Sequence, residues 1–127
     1  MVVLDTSIIV DHLRQPAEKS KLIKAIESFP NERFAVSIIS IQELYEGQST
    51  KRESAERDLL TTLTKIEILP YTYEIASLAG KIARDLSRPI EIADATIAAT
   101  AIVNKANLMT LNQKDFMGIK ELKLLEN

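Results

Sequence analysis

Two rhythms of apolar residues run through this chain. Short, mostly apolar stretches, VVLD from Val2, FAVS from Phe34, IEIL from Ile66 and LMTL from Leu108, have the length and composition of buried strands. Between them the apolar positions recur at helical spacing. TSIIVDHL follows Asp5 with a Thr/Ser cap, EKSKLIKAIESF aligns Leu22, Ile26 and Phe29 before Pro30 and Asn31 stop it, and SIQELYEGQ carries Ile41, Leu44 and Tyr45 up to Gly47. SAERDLLTTLTK repeats Ala55, Leu59 and Leu63. EIASLAGKIARDL is the clearest helix, with Ile75, Leu78, Ala79, Ile82 and Leu86 on one stripe, and DATIAATAIVNKA is an alanine-rich helix after Pro89. NQKDF reads as a loop, and ELKLL near the C-terminus as an edge strand.

Strands alternating with helices predict an α/β fold, a three-layer α/β/α sandwich on a mainly parallel sheet of four to five strands. At 127 residues the chain is expected to form one domain, residues 1–127, with a core that needs no staples. In such sheets ligands bind beyond the carboxyl ends of the strands, and four acids are expected at that edge. Asp5 ends the first strand, Glu43 lies in the first turn of the helix after the second, and Asp115 follows the fourth. Asp94 joins them because its helix feeds the fourth strand through almost no loop and must therefore begin where that strand ends. Asp94, Ala98 and Ala101 share one helix face, and that face is expected on the sheet.

Four carboxylates in one crevice repel one another and raise each other's pKa values unless a cation holds them. Oxygen-only donors suit Mg²⁺ or Mn²⁺; a zinc site built on thiolates is excluded because the chain has no cysteine and a single histidine, His12. The chemistry natural to this donor set is metal-assisted phosphoester hydrolysis. Each acid also has a plain structural reading: Asp5 as a helix cap, Glu43 as the partner of Ser40 in a capping box, Asp94 as a helix-dipole acid, Asp115 as a solvated loop residue. Their common edge is what argues for the site.

Charge and composition add exclusions. The formal net charge of −2 excludes a strongly basic nucleic-acid coat, and no run approaches the ~20 apolar residues needed to cross a bilayer. The absence of cysteine and of a recognisable export segment is what a cytoplasmic protein is expected to show.

The ordered set VVLDTSIIVDHL, VSIISIQELYEG, IEIADATIAATAI and TLNQKDF resembles the PIN-domain nucleases over nearly the whole chain, most closely the VapC-like toxins of prokaryotic toxin–antitoxin pairs. The resemblance implies a magnesium- or manganese-dependent endoribonuclease, a homodimer, and a cognate antitoxin. It assigns Asp5, Glu43, Asp94 and Asp115 as the catalytic and metal-binding acids, with Ser7 and Thr110 as supporting hydroxyls and Asn112 as the asparagine of the last motif. On that pattern Asp5 and Asp94 are the principal ligands, Glu43 a ligand or the group that orients and deprotonates water, and Asp115 an outer ligand.

Glu91, near Asp94, reads as an exposed glutamate, and Asp11 with His12 as a solvated or ion-paired face. Arg14, Lys51, Arg52, Arg84 and Lys114 flank the motif-bearing segments and are the cations expected to meet RNA phosphates. No aromatic platform accompanies them. The helices expected second to fourth carry enough Ile, Leu and Tyr to line a groove for an antitoxin helix. Three alternatives stay open: an RNA-processing nuclease without antitoxin, a silent interaction module, and a phosphoacceptor receiver. The last expects adjacent acids after the first strand, where this chain has one.

Overall fold

The computed structural model describes residues 1–48 and 50–126. Its sheet has four parallel strands, β1 (Val2–Leu4), β2 (Phe34–Ser37), β3 (Glu67–Leu69) and β4 (Asn107–Met109), in the order β3-β2-β1-β4. The helices are α1 (Thr6–Arg14), α2 (Lys21–Ser28), α3 (Ile38–Glu46), α4 (Glu53–Leu63), α5 (Tyr73–Asp85) and α6 (Ile92–Val103), with 3-10 turns at Ala17–Lys19 and Gln113–Phe116.

The period-two alternation of the strands divides the core. Val2, Leu4, Phe34 and Val36 point to one side and pack with Ile8, Ile9, Leu22, Leu44 and Leu59, whereas Val3, Ala35 and Leu108 point to the other and meet Ile97, Ala98 and Ala101 of α6. Helices therefore cover both faces, which makes the α/β/α sandwich. Helix α5 forms no seam with the sheet comparable to its seam with α6, where Ile75 and Ala79 meet Ala95 and Ala99. Squeezed between sheet and α5, α6 buries every residue from Ala95 to Ala101, which explains its run of small side chains.

Several boundaries move from those expected, each for a local reason. Helix α2 begins at Lys21 because the Ser20 side chain accepts the Ile23 amide at 3.2 Å, leaving residues 17–19 in a separate turn. Helix α3 begins at Ile38, capped by Ser37, which accepts the Ile39 amide at 3.2 Å. Strand β4 ends at Met109, freeing Thr110, and the expected loop at NQKDF is a 3-10 turn. The expected edge strand ELKLL reduces to one parallel bridge, Leu108 to Leu124: Glu121 takes a left-handed φ of 69°, and the segment then meets β4 at a single residue.

The tight return from α6 to β4 is a Schellman closure. Lys105 has a φ of 54°, its amide donates to Ile102 O at 3.0 Å, and the Ala106 amide donates to Ala101 O at 2.9 Å. That reversal sets the amino end of α6 at the carboxyl edge. Because β1 is paired with β2 on one side and β4 on the other, the topological switch point lies at the carboxyl end of β1. Among the described residues, no helix is long and apolar enough to cross a membrane.

Candidate active site

Asp5 stands at that switch point, only 4% exposed. Its amide donates to Met109 O at 2.8 Å, continuing the ladder, and its carbonyl accepts the Ile8 amide at 3.0 Å, opening α1. The backbone thus occupies the N-cap position, but the carboxylate caps nothing. Instead Oδ2 accepts the hydroxyls of Ser7 and Thr110, each at 2.7 Å. Both hydroxyls are themselves oriented: Ser7 Oγ accepts the Leu111 amide at 3.1 Å, and Thr110 Oγ1 accepts the Asn112 amide at 2.9 Å. With the lone pairs engaged from behind, the protons face Asp5, and the charged acceptor makes these strong bonds. Asn112 serves here through its backbone.

Glu43 lies in the second turn of α3, not the first, because the helix starts two residues earlier than expected. For the same reason Ser40 is inside the helix and no capping box forms. Thr6 Oγ1 donates to Glu43 Oε1 at 2.6 Å and lies 2.8 Å from the fully buried Ser40 Oγ. With the single Thr6 proton committed to the carboxylate, the Ser40 hydroxyl is the donor in the second contact. Thr6 was missed from sequence, although it sits between Asp5 and Ser7; the residue opening α1 faces the helix that follows the neighbouring strand.

Asp94 is half-buried in the first turn of α6, and its carboxyl is pushed up to about 6. Burial is the main cause, followed by the negative charges of Asp5, Asp115, Glu43 and Glu91. Asp94 therefore feels the charges of the other three expected acids across the carboxyl edge. Asp115 lies in the 3-10 turn after β4, half-buried, and with Asp94, Glu91 and Arg88 it lines a cleft of ≈ 380 Å³. Glu91 is exposed at the N-cap position of α6. Arg88 was also missed: its guanidinium reaches the carbonyls of Asp115 and Met117, and no periodicity marks such a contact.

Among the described residues no three acidic or imidazole groups close into a chelating cage. The donor set nonetheless fits a hard divalent cation that keeps most of its waters and leans on one or two carboxylates, which is how Mg²⁺ binds. The raised carboxyl of Asp94, set first by burial and then by the neighbouring acids, marks this cleft as a candidate site.

The remaining candidates disperse. Lys51 and Arg52 are exposed before α4, Lys114 is exposed beside Asp115, and Arg14 is exposed at the far end of α1 from Asp5. Arg84 forks onto neighbouring Asp85 at 2.8 and 3.0 Å. Asp11 accepts the Lys21 amide at 2.9 Å, tying α1 to α2 through the backbone. His12 Nδ1 lies 2.8 Å from Ser20 Oγ, and burial lowers its pKa against the opposing pull of Asp11 and Asp58. The imidazole lines a separate groove of ≈ 470 Å³ with Leu13, Leu22, Ile23, Ile26 and Ile66. That groove runs between α1, α2 and α4; of the second to fourth helices expected to line a groove, α2 and α4 contribute to it, and Leu44 of α3 lies in the core.

Comparison with known families settles the affiliation: the model of the PIN domain matches residues 2–121. The chain belongs to the PIN-domain family. Divalent-metal dependence is a general property of PIN-domain nucleases. Ribonuclease VapC19 of Mycobacterium tuberculosis is 37% identical over 120 residues, covering 91% of this chain and 92% of that protein. Among solved structures, VapBC2 from Rickettsia felis, bound to a DNA fragment from its promoter, superposes with a TM-score of 0.86 at 28% identity, covering 98% of both chains. A toxin–antitoxin complex from Klebsiella pneumoniae gives 0.78 at 27% identity, covering 96% of this chain and 95% of that one. The PIN fold thus extends over the whole sheet and all the segments that carry the acids.

Proposed function

We propose that this PIN-domain protein is the ribonuclease toxin of a toxin–antitoxin pair, an endonuclease that hydrolyses RNA phosphodiester bonds with Mg²⁺ or Mn²⁺. The observation that supports the reading is that Asp5, Glu43, Asp94 and Asp115 lie on segments that meet at the carboxyl edge of the parallel sheet. The VapC ribonuclease relative and the toxin–antitoxin structures point to the same activity and partner.

Asp5 and Asp94 would hold the cation, with Asp115 as an outer ligand. When bound, a divalent ion makes water a better nucleophile near neutral pH and offsets charge at phosphorus. The chain's own residues do the rest. Ser7 and Thr110 lock Oδ2 of Asp5, which fixes the direction of its other oxygen, and Thr6 holds one oxygen of Glu43, so that the second accepts a proton from the attacking water. Lys51, Arg52 and Lys114 are available to meet RNA phosphates; Arg14 and Arg84 contribute only if their existing partners yield.

The antitoxin reading takes the apolar groove between α1, α2 and α4 as the seat of an amphipathic helix. A homodimer contact would have exposed Ile38, Ile68 and Tyr73 to cover. RNA as substrate puts the work in the cytoplasm.

The test is cleavage of a labelled structured RNA in EDTA, Mg²⁺ and Mn²⁺ by wild type and by Asp5→Asn checked for folding. Metal-dependent cutting lost in the variant supports the reading. No cutting by either protein, with no metal-induced rise in melting temperature, leaves a silent module.

A further inference from the structure

Asp115 belongs to a four-residue 3-10 turn, at whose ends the Asp115 amide donates to Asn112 O at 3.0 Å and the Met117 amide to Lys114 O at a long 3.4 Å. Buried Phe116 anchors one side of the turn in the core beneath α6. The other side is held by Arg88, on the loop between α5 and α6. Its Nη2 donates to Met117 O at 2.7 Å and to Asp115 O at 3.1 Å, and its Nη1 reaches Pro89 O at 3.5 Å. The same loop packs on the next residue: Gly118 has a φ of 84°, and a Cβ there would stand 3.5 Å from Leu86 Cδ1.

Carbonyls at the carboxyl end of a helical turn lack donors from their own helix and carry partial negative charge, which a cation satisfies. A guanidinium does so with a rigid fork, fixing direction as well as distance. Arg88 lies six residues before Asp94, so the contact joins the segment entering the third acid to the turn carrying the fourth.

We propose that Arg88 is a positioning residue for Asp115: by bridging the Asp115 and Met117 carbonyls it holds the fourth carboxylate across the cleft from Asp94, where both serve one divalent-cation site. The assignment rests on the metal-dependent nuclease reading above. Arg88 then acts through the backbone of the turn and not by touching RNA.

The test follows Mn²⁺ binding without RNA, as the rise in melting temperature of the full chain across a Mn²⁺ titration, for wild type, Arg88→Ala, Arg88→Lys, Asp115→Asn and the Arg88→Ala/Asp115→Asn double variant. Arg88→Ala is expected to raise the Mn²⁺ midpoint about tenfold, the usual loss when a residue supporting a ligand is removed. Arg88→Lys is expected to recover part of it, and the double variant to match Asp115→Asn alone, because both changes act on one carboxylate. Hydrogen exchange is expected to quicken at residues 115–118 in Arg88→Ala. A wild-type Mn²⁺ midpoint in Arg88→Ala, or additive losses in the double variant, overturns the proposal. So does a higher KM for RNA with an unchanged Mn²⁺ midpoint, the signature of a phosphate contact. If Arg88→Ala does not fold, Arg88→Gln and Arg88→Lys carry the same measurement. A wild type that binds Mn²⁺ but cuts no RNA overturns the nuclease function and leaves the positioning test intact.

Discussion

Thr6 donates its hydroxyl to Glu43 Oε1 across 2.6 Å, joining the first turn of α1 to the second turn of α3. The bond crosses from the helix after β1 to the helix after β2, so it locks two acid-bearing segments together. Thr6→Val is expected to lower kcat about tenfold and to cost about 1–3 kcal/mol of stability, because it also strands the buried Ser40 hydroxyl. Thr6→Ser should restore both. Cleavage by Thr6→Val at the wild-type rate, measured on the same RNA, would show that Glu43 needs no such restraint.

Ser7 and Thr110 share one oxygen of Asp5, and this predicts coupling. Ser7→Ala and Thr110→Val should each reduce cleavage, and the double variant should depart from the product of the single effects, since each hydroxyl can partly compensate for the other. Strictly independent effects in a double-variant cycle would remove the shared-oxygen account. Asp5→Asn is expected to lose at least about a thousandfold in kcat while keeping its melting transition.

The Asp94 carboxyl makes a pH-dependent contribution whose sign is fixed by its direction. The folded protein holds this proton more tightly than the unfolded chain does, so the group favours folding at pH below the ordinary aspartate value of 3.8 and loses that contribution as pH rises through about 6. Asp94→Asn is therefore expected to raise the melting temperature of the metal-free protein at pH 7, by an amount corresponding to about 1 kcal/mol once solvent screening of a half-exposed group is allowed for. The gain should vanish at pH below the ordinary value. Added Mn²⁺ should reverse the order, stabilising wild type and not the variant, and its midpoint should weaken at pH below about 6 as protons compete. Melting curves across pH, with and without Mn²⁺, check all three; a variant less stable than wild type at pH 7 without metal would contradict the account.

Ile26 is partly exposed on α2 and lines the groove between α1, α2 and α4. Ile26→Glu should weaken antitoxin binding at least about tenfold, the cost of setting a charge against an apolar partner face, while leaving RNA cleavage by the free protein unchanged. Titration calorimetry and the cleavage assay separate the two effects. Unaltered affinity would move the antitoxin to another face.

Much of the placement of the candidate acids was legible because the relevant signals are local. Asp5 ends a run too apolar to carry a free acid, and the near-absence of a loop between α6 and β4 fixes the direction of α6 and hence the place of Asp94. Signals carried by single hydroxyls were misjudged: Ser37 outcompetes Ser40 as the cap of α3, which moved Glu43 from the first turn to the second and dissolved its capping box. Ser20 likewise shortened α2. A hydroxyl's partner depends on a few tenths of an ångström, and sequence spacing does not resolve that.

The sequence by itself determined the order of elements, the parallel sheet and the edge to which the four acids belong, since these follow from hydrophobic period, length and chain reversal. Only the tertiary structure decided that Oδ2 of Asp5 is held by two hydroxyls 105 and 2 residues away, that Thr6 holds Glu43, and that Arg88 reaches a turn 27 residues on. It also decided that the apolar groove excludes α3. The physical reason is one of range. Periodicity reports which face of an element is buried, whereas the partner of a polar group is set by which distant segments the closed core brings within about 3 Å.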